Sequence, residues 1–248
     1  MTDVRERYLS TAADEVVGVL DDAFGWLDQL TAQLRRLQLT AAEAGEPLRA
    51  DDLAALRESI FARLSEQPRL VAGTGVILAP DVLADREHWL EWWQNDGSGG
   101  APVFLEVDHD PASIGYYDYA TAAWFTRPER TGERVLVGPY VDYAGTNEYM
   151  LTLANPVYAG SWFLGVAATD IRAKTFEALL LNALGGASGP IALLNATGRI
   201  VASNTANKIA GSLVAERELD ETRPNHPVRL TGTAECTGLP WRVSALQS

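Results

Sequence analysis

Residues 116–171 carry the most informative pattern in the chain and read YYDYATAAWFTRPERTGERVLVGPYVDYAGTNEYMLTLANPVYAGSWFLGVAATDI. Runs of β-branched and aromatic residues alternate here with Gly, Pro, Asn and Asp, which is typical of antiparallel strands joined by turns. RVLVGPYVD, EYMLTLANPVY and SWFLGVAATDI each predict one strand, whereas TRPER predicts an exposed turn. This segment therefore predicts the centre of an antiparallel sheet.

On the N-terminal side, two further runs extend the predicted sheet, namely LVAGTGVIL and APVFLEV. The stretch between them, DVLADREHWLEWWQND, carries Trp89, Trp92 and Trp93 at spacings of 3 and 1. That spacing predicts a short helix with one aromatic face, and we expect at least two of the three rings to pack in the core.

On the C-terminal side, AKTFEALLLNAL predicts a helix that the glycines of GGASG end. PIALLNATGRIVASN then predicts two strands joined by a turn at residues 195–198, and residues 231–246 predict final strands. We therefore divide the chain into N-terminal helices at 1–67, a larger module at 68–185 and a smaller module at 186–248.

The N-terminal segment contains a heptad seam of nine apolar residues, which step by 4 and 3 along one helix face. These are Leu9, Ala13, Val16, Leu20, Ala23, Leu27, Leu30, Leu34 and Leu37. The seam suits either a dimeric coiled coil or a helix packed on its own domain, and flanking apolar residues favour the second arrangement. DDLAALRESIFARLSEQ predicts a second helix, capped by Asp51 or Asp52 and ended before Pro68.

Length and composition limit the partners and functions that the chain can have. The chain has 248 residues and a net charge of −13, from 20 basic and 33 acidic side chains. This excess of acid disfavours nucleic-acid phosphates and anionic membranes as partners and favours a cationic ligand. Cys236 is the single cysteine, so an internal disulfide is excluded, and residues 1–30 lack a secretory signal pattern. No apolar run reaches the roughly 18 residues of a membrane span.

Catalytic and metal motifs are absent from the sequence. The three histidines, His88, His109 and His226, have no metalloenzyme spacing, and no nucleotide-binding or nucleophile motif occurs. Asp108-His109-Asp110 is either a weak metal ligand set or a turn before Pro111, and we favour the turn. We therefore expect no catalytic residue, no metal and no cofactor.

Aromatic and acidic side chains crowd together at the start of residues 116–171. Seven aromatic residues fall within residues 116–143, accompanied nearby by Asp118, Asp142, Glu148 and Asp170. Carboxylates among electron-rich rings suit an ammonium ion, although a strand core with ordinary surface acids would produce the same composition.

The order of four motifs in the chain, Y-D-x-x-T-x-x-W-F, G-P-Y-V-D, N-P-V-Y and F-L-G-V-x-x-x-D-I, resembles the double Cache family of bacterial sensor domains. The resemblance implies an α+β fold in which a long N-terminal helix precedes two PAS-like modules with antiparallel sheets. It also implies that Asp142 and Asp170 grip a ligand's ammonium group, while Tyr117, Trp124 and Tyr140 line the pocket.

One departure from the amino-acid-sensing branch of that family concerns the ligand. Ala122 stands where that branch places an arginine for the ligand's carboxylate, so the resemblance implies a small amine or a quaternary ammonium ion. An amino acid held through a rearranged site at Arg127 or Arg130 is the alternative.

The resemblance also implies a sensor that signals through a separate protein, and the helix seam allows a homodimer. A scavenging or delivery protein and a degenerate enzyme accessory are the other candidate roles. The expected location is cytoplasmic for a complete chain and extracytoplasmic for a piece of a receptor.

Overall fold

The structure is a computed structural model that describes residues 2–95, 100–110, 112–141, 149–184, 189–195, 197–215, 226–228 and 241–246. Several features singled out in the sequence lie outside these residues: Asp142, Tyr143, Glu148, Cys236, most of GGASG and the N-terminal part of the final strand region.

Two antiparallel sheets form the β-structure of the described residues. The larger has the strand order β3-β2-β1-β6-β5-β4, and the smaller has the order β8-β7-β10-β9. The larger sheet comprises β1 (Val71–Leu78), β2 (Leu90–Gln94), β3 (Val103–Phe104), β4 (Val135–Val141), β5 (Tyr149–Ala159) and β6 (Trp162–Arg172). The smaller sheet comprises β7 (Ile191–Leu194), β8 (Ile200–Ser203), β9 (His226–Val228) and β10 (Trp241–Ala245).

Helices cover both faces of the larger sheet, which confirms the α+β prediction. The α-helices are α1 (Thr2–Ala44), α2 (Arg57–Glu66), α3 (Ala123–Thr131) and α4 (Ala173–Leu184), and two 3₁₀ turns span Ala50–Leu56 and Tyr119–Thr121. Helix α1 packs on β5, β6 and α4, whereas α3 packs on β4, β5 and β6. The side chain of Asn195 joins the two sheets by donating to the carbonyl oxygen of Gly138, at 3.1 Å. The boundaries near residues 67 and 185 stay predictions.

The heptad seam of α1 faces the chain's own core. Eight of its nine side chains are buried within the single chain, and Leu37 is partly buried against the same cluster. The favoured interpretation, packing of the helix on its own domain, is thus confirmed, while a homodimer stays a prediction. Arg63 of α2 is buried and fastens α2 to α1 through a 2.6 Å ion pair with Asp22.

The expected aromatic helix around the tryptophans is wrong, because the segment forms strand β2. Trp92 packs with Tyr119 and Trp124 on one side of the sheet, whereas Trp93 stacks edge-on against Phe61 on the other side, at 4.7 Å between centroids. A strand buried on both faces has no polar alternation, so its apolar run can be mistaken for a helix face.

The predicted cap of the second helix is also wrong in detail. A 3₁₀ turn precedes α2, its N-cap is Arg49, and the carboxylate of Asp52 accepts the Arg49 backbone N–H at 2.8 Å. Asp52 therefore acts from three residues inside the element, as in the reciprocal half of a capping box.

Candidate functional site

A cavity opens between the larger sheet and the aromatic segment that precedes α3. Its walls enclose about 410 Å³, including the part open to solvent. The lining residues come from five strands of the sheet, from the segment after β3 and from the covering segment: Ile77, Leu90, Trp92, Gln94, Leu105, Tyr117, Trp124, Tyr140, Thr152, Ala168 and Asp170. Four of the five residues expected at the site are among them, and the fifth, Asp142, lies outside the described residues.

Strand register builds the floor of the cavity. Gln94, Gly73, Asp170 and Thr152 stand side by side on β2, β1, β6 and β5, so one row of residues crosses the sheet. A Cβ added to Gly73 would lie 2.6 Å from the indole nitrogen of Trp92. Because Gly73 has no side chain, the Trp92 ring can pack directly against the sheet at this position.

A short chain of hydrogen bonds connects Tyr140 to Asp170. The Thr152 hydroxyl donates to Asp170 Oδ1 at 2.5 Å, and the Tyr140 hydroxyl lies 2.5 Å from the same threonine oxygen. Because Thr152 has a single proton and gives it to the carboxylate, Tyr140 donates to Thr152. The buried threonine thus orients the half-buried Asp170 carboxylate at the cavity wall.

Helix α3 supplies Trp124 to the lining of the cavity and includes TRPER, which corrects the expectation that TRPER is an exposed turn. The helix continues through Pro128 and ends at Gly132, which has a φ of 71° and donates its N–H to the Pro128 carbonyl oxygen. Trp124, Phe125 and Pro128 are buried, so packing of this face outweighs the helix-breaking tendency of proline.

Positive side chains are absent from the described lining of the cavity. Ala122 caps α3 and packs against the aromatic cluster, and neither Arg127 nor Arg130 lines the cavity. Arg172, two residues after Asp170, donates through its guanidinium to the carbonyl oxygens of Pro68, Val71 and Asn95. The expected alternative clamp at Arg127 or Arg130 is therefore not formed in this structure.

One buried donor in the lining has no partner among the described residues. The indole N–H of Trp92 is buried and makes no hydrogen bond to any described residue. A buried, unpartnered N–H costs free energy, and a ligand oxygen would satisfy it.

Within the Asp108-His109-Asp110 segment, Asp108 forms an isolated bridge with Tyr116, and a turn follows at residues 112–115. Asp108 Oδ1 accepts the Asp110 N–H at 2.9 Å, and hydrogen bonding from Ser113 is the main cause that lowers the pKa of Asp108. His109 stacks on His88 with 5.8 Å between ring centroids. Over the described part of the chain, no cluster of three or more potential metal ligands occurs.

Comparison with known proteins shows which protein family part of the chain is similar to. The family model described as methyl-accepting chemotaxis protein-like, first PDC sensor domain, matches residues 60–178. Over these residues the chain is similar to a Cache-type sensor domain. The resemblance noted in the sequence is thereby confirmed, and the matched residues contain every described residue that lines the cavity.

Solved structures of sensor domains share the fold over nearly their whole length. One is the ligand-binding domain of the Pseudomonas aeruginosa PAO1 amino acid chemoreceptor PctC in complex with GABA, with 19% identity and a TM-score of 0.61, covering 99% of each chain. Another is the ligand-binding domain of the Campylobacter jejuni chemoreceptor Tlp3 in complex with L-valine, with 12% identity, a TM-score of 0.66 and coverage of 100% of this chain and 92% of that one.

A third is the extracellular domain of the putative histidine kinase soHK1S-Z6, with 19% identity and a TM-score of 0.63, covering 97% of this chain and 91% of that one. At these identities the likeness is one of fold. Within the described residues of the sensor domain, no helix has the length and hydropathy of a membrane span.

Several residues of the site were not predicted from the sequence, among them Gly73, Trp92 and Thr152. Gly73, Gly75 and Ile77 alternate along β1 toward the cavity side, so period-two reading of VAGTGVIL could have found the floor. Thr152 carries no charge that would mark it in the sequence. Only its position opposite Asp170 on the neighbouring strand shows that it belongs to the site.

Proposed function

We propose that the cavity of this sensor domain binds a small organic ammonium ion, with Asp170 as the anionic partner and Tyr117, Trp124 and Tyr140 as the aromatic wall. The single observation that carries the proposal is the Tyr140–Thr152–Asp170 chain, which fixes a carboxylate at a cavity whose described lining has no positive side chain. An ammonium group gains from the carboxylate and from the ring faces together.

Asp142 is the second proposed ammonium partner. It follows Val141, the last residue of β4, and it is two residues from Tyr140 in the sequence. Two carboxylates at one site repel each other, and a bound cation relieves that repulsion.

A primary amine without a carboxylate is the favoured ligand. The family's arginine position is occupied by Ala122, and the guanidinium of Arg172 is engaged by backbone carbonyls. An amino acid would place its carboxylate near Asp170 without a cationic partner from the described residues, at a cost of several kcal/mol.

An amino acid remains the second candidate, and two observations favour it. The solved sensor domains with this fold include complexes with GABA and L-valine. In addition, the unpartnered indole N–H of Trp92 could donate to a ligand carboxylate oxygen.

The proposed role is sensing without catalysis. The matched family and the solved structures of the same fold are sensory ligand-binding domains. In this role, ligand binding is reported to a separate output protein.

Calorimetric titration with isobutylamine and with L-valine tests the proposal. Asp170→Asn keeps an oxygen that accepts the Thr152 hydrogen bond but removes the charge, and we expect at least a 10-fold loss of affinity for the amine, about 1.4 kcal/mol. Asp118→Asn is the matched control, because Asp118 is an exposed carboxylate of the same segment that does not line the cavity. Equal affinities of the wild type and Asp170→Asn for both probes would overturn the proposal.

A further inference from the structure

A second, wider groove lies between α4 and the segment that follows β8, away from the ammonium cavity. Its walls enclose about 960 Å³, including the part open to solvent. None of its lining residues also lines the ammonium cavity. It therefore needs its own explanation.

The lysines of the chain are concentrated in this groove. The sequence contains only two, Lys174 and Lys208, beside 18 arginines, and both lysines line the groove. Lys174 belongs to the first turn of α4, whereas Lys208 comes from the opposite wall, after β8.

The charge of the groove opposes that of the whole chain. Among the described lining residues, Lys174, Lys208 and Glu177 are charged and sum to +1, whereas the chain carries −13. The N-terminal end of α4 adds the positive end of its helix dipole next to Lys174. An anion is therefore attracted to this groove against the field of the rest of the molecule.

The wall that carries Lys208 is fixed by its own hydrogen bonds. Asn204 Oδ1 accepts the Ile191 N–H at 2.7 Å, the Ser203 and Thr205 hydroxyls are 2.9 Å apart, and the Lys208 N–H donates to the Thr205 carbonyl oxygen. The backbone that holds Lys208 is thus ordered before any ligand arrives, which lowers the cost of binding.

Apolar side chains occupy the rest of the lining. Ile209 is 66% exposed and Leu181 is 38% exposed. The Tyr149 ring packs over Gly211, so a Cβ added to Gly211 would lie 3.1 Å from Tyr149 Cε1. Exposed apolar residues beside two lysines suit an anion with an apolar body better than a small inorganic ion.

We propose that this groove is a second ligand site, which binds an organic carboxylate with a short apolar chain between Lys174 and Lys208. The two ammonium groups contact the carboxylate from opposite walls, and the chain of the ligand packs on Leu181, Ile209 and Tyr149. The site is independent of the ammonium cavity and takes a ligand of the opposite charge.

The scarcity of lysine makes a direct test available. Reductive methylation with ¹³C-formaldehyde labels Lys174, Lys208 and the chain's amino terminus and keeps their positive charge. Titration with hexanoate should shift both lysine signals with one saturation curve and leave the amino-terminal signal unchanged. Hexanamide, which lacks the charge, and inorganic phosphate, which lacks the apolar chain, should bind at least 10-fold more weakly.

Variants assign the contacts. Lys174→Gln and Lys208→Gln should each weaken hexanoate binding at least 5-fold by calorimetry, whereas Arg36→Gln, which removes an exposed charge from α1, should not. Asp170→Asn should also leave hexanoate binding unchanged, which separates this site from the proposed function. Equal movement of all three methyl signals, equal binding of hexanamide or phosphate, or unchanged affinity in both lysine variants would overturn the proposal.

Discussion

At the scale of single residues, an uncharged threonine connects the aromatic and the acidic sides of the cavity. Thr152 is buried and hydrogen-bonded on both sides, to Tyr140 and to Asp170. Its hydroxyl stabilises the ionised carboxylate and fixes the direction of the tyrosine proton.

Replacing this hydroxyl with a methyl group tests its role. Thr152→Val keeps the volume and removes both hydrogen bonds, so isobutylamine affinity should fall by about 3-fold to 10-fold, or about 0.7–1.4 kcal/mol. Thr175→Val, which removes a hydroxyl bonded to the Arg69 carbonyl oxygen, is the matched control. If calorimetry gives the two variants the same affinity as the wild type, Thr152 has no part in binding.

Charged and aromatic site residues could be predicted from the sequence, whereas the polar support could not. Tyr117, Trp124, Tyr140 and Asp170 are conspicuous because carboxylates and rings have evident chemistry. Thr152 and Gly73 matter through register, since each stands beside Asp170 on a neighbouring strand. Register depends on turn geometry and bulges across the whole sheet, which a single sequence does not specify.

At the scale of elements, the spacing of apolar residues predicted helix α1 correctly but did not predict strand β2. The seam of α1 has a period that only a helix satisfies, and it is buried as expected. Strand β2 is buried on both faces, so its spacing has no strand period to recognise. Its Glu91 is fully buried and is paired with Arg57 at 2.7 Å, a contact that links β2 to α2.

The packing of α1 gives a stability prediction. Leu27 is fully buried, so Leu27→Ala should lower the free energy of unfolding by about 2–5 kcal/mol through lost transfer energy and a residual cavity. Leu39, on the same helix, is 55% exposed, and Leu39→Ala should change the free energy of unfolding by less than about 0.5 kcal/mol. Urea denaturation measures both values, and equal effects would show that the seam does not pack as described.

The loop that carries His109 gives a pH prediction. Burial is the main cause that lowers the pKa of His109, followed by the charge of His88, while Asp108 opposes both. Glu87 lies 3.6 Å from His88, and burial raises the pKa of Tyr119, whose ring lies against both histidines, to about 12. Tyr119 therefore stays protonated and donates to the Leu78 carbonyl oxygen.

A lowered histidine pKa means that the unfolded chain takes up the proton first. The free energy of unfolding should fall as the pH drops below about 6.5, the ordinary histidine value, until the folded protein is protonated as well. His109→Gln should flatten this dependence between pH 6.5 and 5, as measured by denaturation at each pH. An unchanged slope in the variant would assign the effect to other groups.

At the scale of the whole molecule, the two proposed sites differ in the charge of their described side chains. The ammonium cavity has a carboxylate and no described cation, whereas the groove beside α4 holds the only two lysines of an acidic chain. The sequence predicted the first of these because its residues are adjacent to recognisable motifs. Lys174 and Lys208 are 34 positions apart, and only the packing of α4 beside β8 brings them to one groove.

The most direct test of the ammonium cavity compares an amino acid with its decarboxylated amine in the wild-type protein. L-valine and isobutylamine share the ammonium group and the branched chain, so the ratio of their affinities isolates the carboxylate. Because the described lining provides Asp170 and no cation, isobutylamine should bind at least 10-fold more tightly by calorimetry, about 1.4 kcal/mol. Tighter binding of L-valine would contradict the account and would indicate a carboxylate site at the Trp92 N–H.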